Sequence, residues 1–337
     1  MPDDNAPLTS KSSVGTWLDH PVGGQLLRDM LETAGLPEDM LAPARNLPLG
    51  QLAEMSGGQL NQETVHDLVL RANGGVIPEA ETTQTAPGEK ITPGRFDDRA
   101  VVITGAGSGI GRATASRVAR EGGHVVAVDV AEEGLRTLAA ELPDDVATVV
   151  GDITAEDDVT RIVEAAGSRI DALANVAGIT DAMEMLHETT NETWRRVMGV
   201  NVDGAFQLAR AVLPIMMRHG KGAIVNVSSE AGLRGSAAGF AYTTSKHAVI
   251  GMTRSSAFMY GPSGIRVNAV APGGVATGIG QPAGSHLGQQ RLDELRPFMP
   301  PVATAQQLAA SITFLLSDDS TNINGAILPS DGGWSAQ

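Results

Sequence analysis

From Arg99 onward, short β-branched runs alternate with stretches long enough for a helix, and this alternation restricts the fold more than any other feature of the chain. The runs are AVVIT (100–104), HVVAV (124–128), ATVV (147–150), ALANV (172–176), AIVNV (223–227), RVNAV (266–270) and AIL (326–328). Short, continuously apolar runs read as strands buried on both faces. Strands separated by helix-length segments need crossovers, which are right-handed and lay helices over both faces of a parallel sheet. The expected fold is therefore α/β, a doubly wound parallel sheet of seven strands, with its ligand beyond the carboxyl ends of the strands.

Residues 1–94 stand apart. They hold 5 basic and 13 acidic side chains, a net of −8, against 19 and 26 in residues 95–337. Residues 1–74 are expected to form a small all-α module behind a disordered start. In it, Pro21 opens a helix with Val22, Leu26, Leu27, Met30 and Leu31 as its apolar stripe and Gly35 as its stop. A last helix has Asn61 as N-cap, with Leu60 and Val65 as a hydrophobic staple, and ends at Gly74. About 60 residues give a marginal core. The segment 75–94, rich in proline, glycine and threonine, reads as a linker to a domain over 95–337. The net charge of −15 argues against nucleic acid or an anionic membrane as partner. No run approaches the ~18 apolar residues of a membrane span, and the start lacks a basic region followed by an apolar one. With no cysteine anywhere, disulfides and thiolate chemistry fall away, and a cytoplasmic location is expected.

The first strand runs into Thr104-Gly105-Ala106-Gly107-Ser108-Gly109-Ile110-Gly111 and then a helix. Missing Cβ atoms let backbone approach a pyrophosphate, whose charge suits the free N–H groups of a helix start. Alone, such a loop also reads as a glycine-rich turn. Its setting between a strand and a helix points to a Rossmann-type dinucleotide site with Gly105, Ser108, Gly109, Ile110 and Gly111 as binding residues. Asp129 ends the second strand 24 residues after Gly105. An acid there bonds the adenosine ribose and repels a 2′-phosphate, and Val130 and its successors bring no arginine, so NAD is favoured over NADP. An acidic helix cap is the competing reading.

Tyr242 and Lys246 stand four apart in AYTTSKHAV, on one face of a helix. A phenol titrates near ~10, so acid/base work near neutrality requires its anion to be stabilised, which a neighbouring ammonium and an oxidised nicotinamide supply. The bland reading is a surface lysine beside a half-buried tyrosine. Ser229 at the end of AIVNV and Asn201 in a long helix favour the catalytic one.

These motifs resemble those of a classical-type short-chain dehydrogenase/reductase, over about 236 of the 337 residues, Arg99 to Trp334. The matching elements are TGAGSGIG (104–111), Asp152-Ile153, NVAG (175–178), Asn201, Ser229, YTTSK (242–246), PGGVAT (272–277) and the ending GAILPSDGGW (325–334). The resemblance implies Tyr242 as general acid/base, Lys246 as the residue that lowers its pKa and bonds the nicotinamide ribose, and Ser229 as the group orienting the reacting oxygen. It implies that Asn201 supports a water linking Lys246 to solvent. Asp152 and Ile153 would flank the adenine, Asn175, Ala177 and Gly178 would pass under the cofactor, and Pro272, Gly273, Val275 and Thr277 would hold its carboxamide end. Tyr242 itself, Asp129 and Val130 complete the implied cofactor set. Val176 departs from the family pattern, which has a second asparagine there. The implied reaction is reversible hydride transfer between nicotinamide C4 and a secondary alcohol or ketone, in a homotetramer and without metal; the seven histidines show no ligand spacing.

Substrate contacts are expected from the loops 179–190, 230–240 and 274–301, the last as a lid, with Met183, Glu230, Leu233 and Phe240 as candidates. Apolar members suit an alicyclic or steroid-like alcohol, while Glu230 and the QPAGSH stretch suit a polyol. Two other functions stay in view. An NADPH-dependent ketoacyl-carrier-protein reductase is disfavoured by the acidic chain, and a non-catalytic NAD(H) sensor has no need of the Ser–Tyr–Lys set.

Overall fold

A computed structural model describes residues 7–37, 41, 44–45, 48–55, 60–78, 89–142, 146–277, 284–295 and 298–336. The chain divides into two compact units, Met1–Gly88 and Glu89–Gln337. Among the described residues no helix is long and apolar enough to cross a membrane.

The first unit contains α1 (Val14–Asp19), α2 (Pro21–Thr33), α3 (Leu49–Met55) and α4 (Gln62–Ala72). Trp17, Leu27, Leu31, Leu49, Val65, Leu68 and Val69 form its core. The Asn61 side chain caps α4 through Thr64 N, and Leu60 and Val65 are both buried. Asn73 closes the unit, bonding both the N–H and the C=O of Leu8. The expected stripe of α2 needs one correction: Val22 is 47% exposed. Its first turn packs through Gly23 and Gly24 instead, where a Cβ would lie 2.3 Å from Leu8 Cδ1 and 2.4 Å from Leu18 O. Those contacts turn Val22 outward.

In the second unit all seven expected strands form, within two residues of the expected ends: β1 (Ala100–Thr104), β2 (His124–Asp129), β3 (Val146–Val150), β4 (Ala172–Asn175), β5 (Gly222–Val227), β6 (Ile265–Pro272) and β7 (Ile327–Ser330). They make one sheet in the order β3-β2-β1-β4-β5-β6-β7, and every pair is parallel. Alternate side chains feed two cores. Val101, Ile103, Val125 and Val225 pack with α5 (Gly109–Arg120), α6 (Glu132–Glu141) and α12 (Ala305–Leu316). On the other face, Val102, Val126, Leu173 and Ile224 pack with α7 (Glu156–Ala166), α9 (Ala205–His219) and the end of α10 (Phe240–Tyr260). Two further helices, α8 (Asn191–Met198) and α11 (His286–Asp293), complete the unit.

The strand order reverses between β1 and β4, so the crevice at their carboxyl ends is where this architecture binds ligands. Of the segment expected as linker, residues 79–88 lie outside the described residues, and 89–94 belong to the second unit. Glu89 pairs with Arg117 at 3.3 Å and with Arg120 at 2.7 Å, Lys90 O accepts from Arg117, and Thr92 N donates to Glu121.

Candidate active site

The glycine loop and the β4 end are fastened together at the reversal point. The buried Thr104 hydroxyl accepts from Val176 N and Ala177 N, both at 3.0 Å. Gly105 takes φ 68°, and a Cβ there would sit 3.1 Å from the Ala177 backbone. At Gly111 a Cβ would come within 2.0 Å of Gly105 O, so the loop turns into α5 only because that atom is missing. Ser108 starts α5 without a side-chain capping bond, which leaves the first-turn N–H groups to a ligand. Thr277 reaches the same place: a Cβ on Gly109 would lie 3.1 Å from its methyl group. The Asp129 carboxylate stands beside the loop, accepting from Gly107 N and Ala131 N at 2.9 Å each. A narrow, N–H-rich cradle with an acid at its rim fits a dinucleotide.

Two of the expected cofactor residues have their side chains buried in the protein. The Asn175 side chain is buried and donates to Asn226 Oδ1 at 2.9 Å, so only the backbone of 175–178 is left for the crevice. Ile153 is a core residue, packed where a Cβ on Gly204 would meet it at 2.6 Å, while the exposed Asp152 caps Thr154. Val130 is exposed. Gly273 packs against the Asp331 backbone, Val275 bridges to Ala303, and Ala276 N bonds Ala303 O, which straps residues 272–277 down.

α10 carries Tyr242 and Lys246 one turn apart. The Lys246 ammonium is 5.4 Å from the Tyr242 ring centre and donates to Val227 O at 2.9 Å. The Ser229 hydroxyl accepts from Ala231 N at 3.1 Å and stands close enough to the Tyr242 phenol to favour its anion. Asn201 lies in a π-helical turn, Gly199–Gly204, between α8 and α9. Such single turns often mark functional sites. Its amide is fully used: Oδ1 accepts from Ile179 N at 2.8 Å, and Nδ2 donates to Ile179 O and Ser245 Oγ at 2.9 and 3.0 Å. The side chain therefore fastens the start of the loop after β4 to α10. Gly178 completes the floor, since a Cβ there would stand 3.3 Å from Lys246 Nζ.

A family profile described as enoyl-(acyl carrier protein) reductase matches residues 105–335. A short-chain dehydrogenase/reductase of Talaromyces verruculosus is 40% identical over 258 residues, covering 72% of this chain and 99% of the relative. The chain belongs to the short-chain dehydrogenase/reductase family. Levodione reductase of Leifsonia aquatica is 39% identical over 257 residues, covering 72% of this chain and 96% of its own. A crystal structure of levodione reductase superposes with a TM-score of 0.65 at 38% identity, over 72% of this chain and 99% of that one. The first 88 residues lie outside the family profile.

Burial dominates the protonation of both Tyr242 and Lys246. The Tyr242 phenol is pushed up to about 12 by burial, with Asp181 adding to the rise and the Ser229 hydroxyl opposing it. Lys246 is brought down to about 8 by burial alone.

The substrate side divides. Met183 has φ 57°, and a Cβ on Gly288 would lie 1.9 Å from its carbonyl oxygen, so the loop after β4 rests directly on α11. Phe240 stacks on Trp194 at 5.8 Å, and Leu233 is partly exposed. Glu230 is a correction: it is 1% exposed and ion-paired with Arg234, which also reaches Trp334 O, so it sits buried under the C-terminal segment rather than as a substrate contact. Of the expected lid, residues 278–283 and 296–297 lie outside the described residues. Sequence reasoning missed Gly134, where a Cβ would meet Gly107 O at 2.5 Å, and Asp181.

Proposed function

We propose that this chain is an NAD-dependent dehydrogenase/reductase of secondary alcohols and ketones, with an alicyclic ketone as the substrate class. The observation that carries this is the Ser229–Tyr242–Lys246 set, with the lysine buried and the serine and tyrosine half-buried, beside the glycine cradle. A reduced nicotinamide supplies a hydride when bound, and its oxidised form accepts one. In ketone reduction the Tyr242 hydroxyl would give its proton to the carbonyl oxygen, and in alcohol oxidation it would take that proton back. Ser229 donates to the same oxygen and holds it in line. Lys246, anchored on Val227 O, keeps a positive charge near the phenol oxygen and favours its anion.

The preference for NAD rests on Asp129 and on the state of the neighbouring cations. Arg112 is committed to Gly134 O, Thr137 and Glu141, and Arg136 to Glu133, so neither stands ready for a 2′-phosphate. The apolar substrate reading is supported by the withdrawal of Glu230 into the protein, which removes the acid that favoured a polyol, and by the diketone named for the levodione relative. Exposed Phe206 and Met217 on α9 and Phe258 and Met259 on α10, Phe258 at 82%, support a homotetramer. Zero cysteine fits the cytoplasm.

The test is a fluorescence titration with NADH and NADPH in turn, alongside turnover by a Tyr242→Phe variant. Tighter NADH binding is expected, with binding kept and turnover lost in the variant. A preference for NADPH removes the Asp129 reading and returns the carrier-protein reductase. Near-normal turnover in Tyr242→Phe removes the acid/base assignment.

A further inference from the structure

The catalytic helix begins without a cap of its own. Its N-cap is Gly239, which has no side chain to accept from the first-turn amides. The missing acceptor comes from 61 residues upstream: Asp181 Oδ2 takes the N–H of Tyr242 at 2.9 Å. Its Oδ1 takes Met183 N at 3.1 Å, and a Cβ on Gly239 would lie 2.3 Å from that oxygen, so the glycine is what lets the carboxylate in. Asp181 is completely buried, and among the described residues no lysine, arginine or histidine pairs with it.

We propose that Asp181 is a positioning residue for Tyr242: its carboxylate, holding the amides of both Tyr242 and Met183, caps the catalytic helix from the loop after β4 and places a negative charge at the first turn that carries the phenol. The tie fixes the height of Tyr242 relative to the substrate loop, because one carboxylate holds the backbone of both. The charge favours the protonated phenol, the form that donates in ketone reduction. Other charged groups on elements packed around α10 are spent or distant. Glu230 is taken up by Arg234, and Arg266 of β6 is bonded to Leu315 O and Ser317 O. Glu184 accepts from Thr193 and Ala182, and Glu192, Arg195, Arg196 and Asp203 are exposed. Burial and Asp181 both push the phenol up.

This inference rests on Tyr242 as the acid/base. The chain has two tyrosines, so a Tyr260→Phe background leaves Tyr242 as the one phenol. With ¹³Cζ-labelled tyrosine, the ionised fraction is read by NMR at the highest pH, up to about 11, at which circular dichroism is still native. Asp181→Asn keeps an acceptor oxygen and removes the charge. It is expected to raise the ionised fraction at that pH by about threefold or more, a shift of at least ~0.5 in pKa. Protection of the Tyr242 amide from hydrogen exchange is expected to stay within about tenfold of the parent. An unchanged or smaller ionised fraction overturns the proposal. So does a larger one with the amide unprotected, because the helix start has then opened and solvent, not charge, explains the change. Turnover by Tyr242→Phe would sink the acid/base assignment while leaving this titration standing, so the two failures are separable.

Discussion

Replacing Lys246 by methionine should make the protein more stable and catalytically dead. Lys246 is 4% exposed, and burial brings it from 10.5 to about 8. That displacement corresponds to about 3 kcal/mol. Between pH 8 and 10.5 the unfolded chain binds the proton more tightly than the folded one, so stability rises with pH across that window. Below pH 8 the full penalty is present, because folding must then carry a charged ammonium into the interior. Methionine fills a similar volume without the charge, but it leaves Val227 O without the 2.9 Å bond from Nζ, a loss of about 1–2 kcal/mol. The net expectation is a gain of about 1–2 kcal/mol at pH 7 that shrinks to nothing or reverses near pH 10. Urea unfolding followed by tryptophan fluorescence reads it. In a Trp17→Phe background the signal comes from Trp194 and Trp334, both in the second unit. A variant less stable than the parent at pH 7, or a gain that does not fall as pH rises, would refute the reasoning.

Gly111→Ala places a methyl carbon 2.0 Å from one backbone oxygen and 2.9 Å from another, neither of which a rotamer change can clear. NADH affinity should fall by about 100-fold or more with the parent's circular dichroism retained, and parental affinity would show that the loop tolerates a side chain. Arg234→Ala strips the cation from a carboxyl that burial already raises. For a Glu with a raised folded pKa, stability is present at low pH and is lost as pH climbs through that value. The variant should therefore lose about 3 kcal/mol at pH 8 and distinctly less at pH 5 in urea unfolding; equal losses at the two values would mean that Glu230 is not the group left uncompensated.

The strands were legible because a doubly covered parallel sheet needs continuous apolar runs, and AVVIT, HVVAV and AIVNV admit little else. That the sheet is parallel and covered on both faces was legible from the same facts, since helix-length crossovers of one hand require it. The grouping of Ser229, Tyr242 and Lys246 was legible for a different reason: a phenol, an ammonium and a hydroxyl at those spacings carry chemistry in their identity. What escaped was whatever depended on a partner far along the chain. Glu230 looked like a pocket acid because it follows Ser229, yet its surroundings are Arg234 and Asp331, the latter on the segment after β7. The partner that takes the Asn175 amide, Asn226 across the strand pair, left no local signal either.

Asp181 shows the same limit from the other side. Nothing in GITDAM marks an aspartate as the cap of a helix that begins at Phe240, because the signal for a cap is local and this one is supplied from another loop. The trace it does leave is negative: a 21-residue helix that starts on glycine, without serine, threonine, aspartate or asparagine to accept its first-turn amides. An uncapped start on a helix that bears the catalytic group is a demand for an acceptor from elsewhere, and a short acidic residue in a loop at the carboxyl edge of the sheet is what can answer it. The loop after β4 and Tyr242 are in this way tied through one carboxylate, so that loop cannot shift without carrying the first turn of α10 with it.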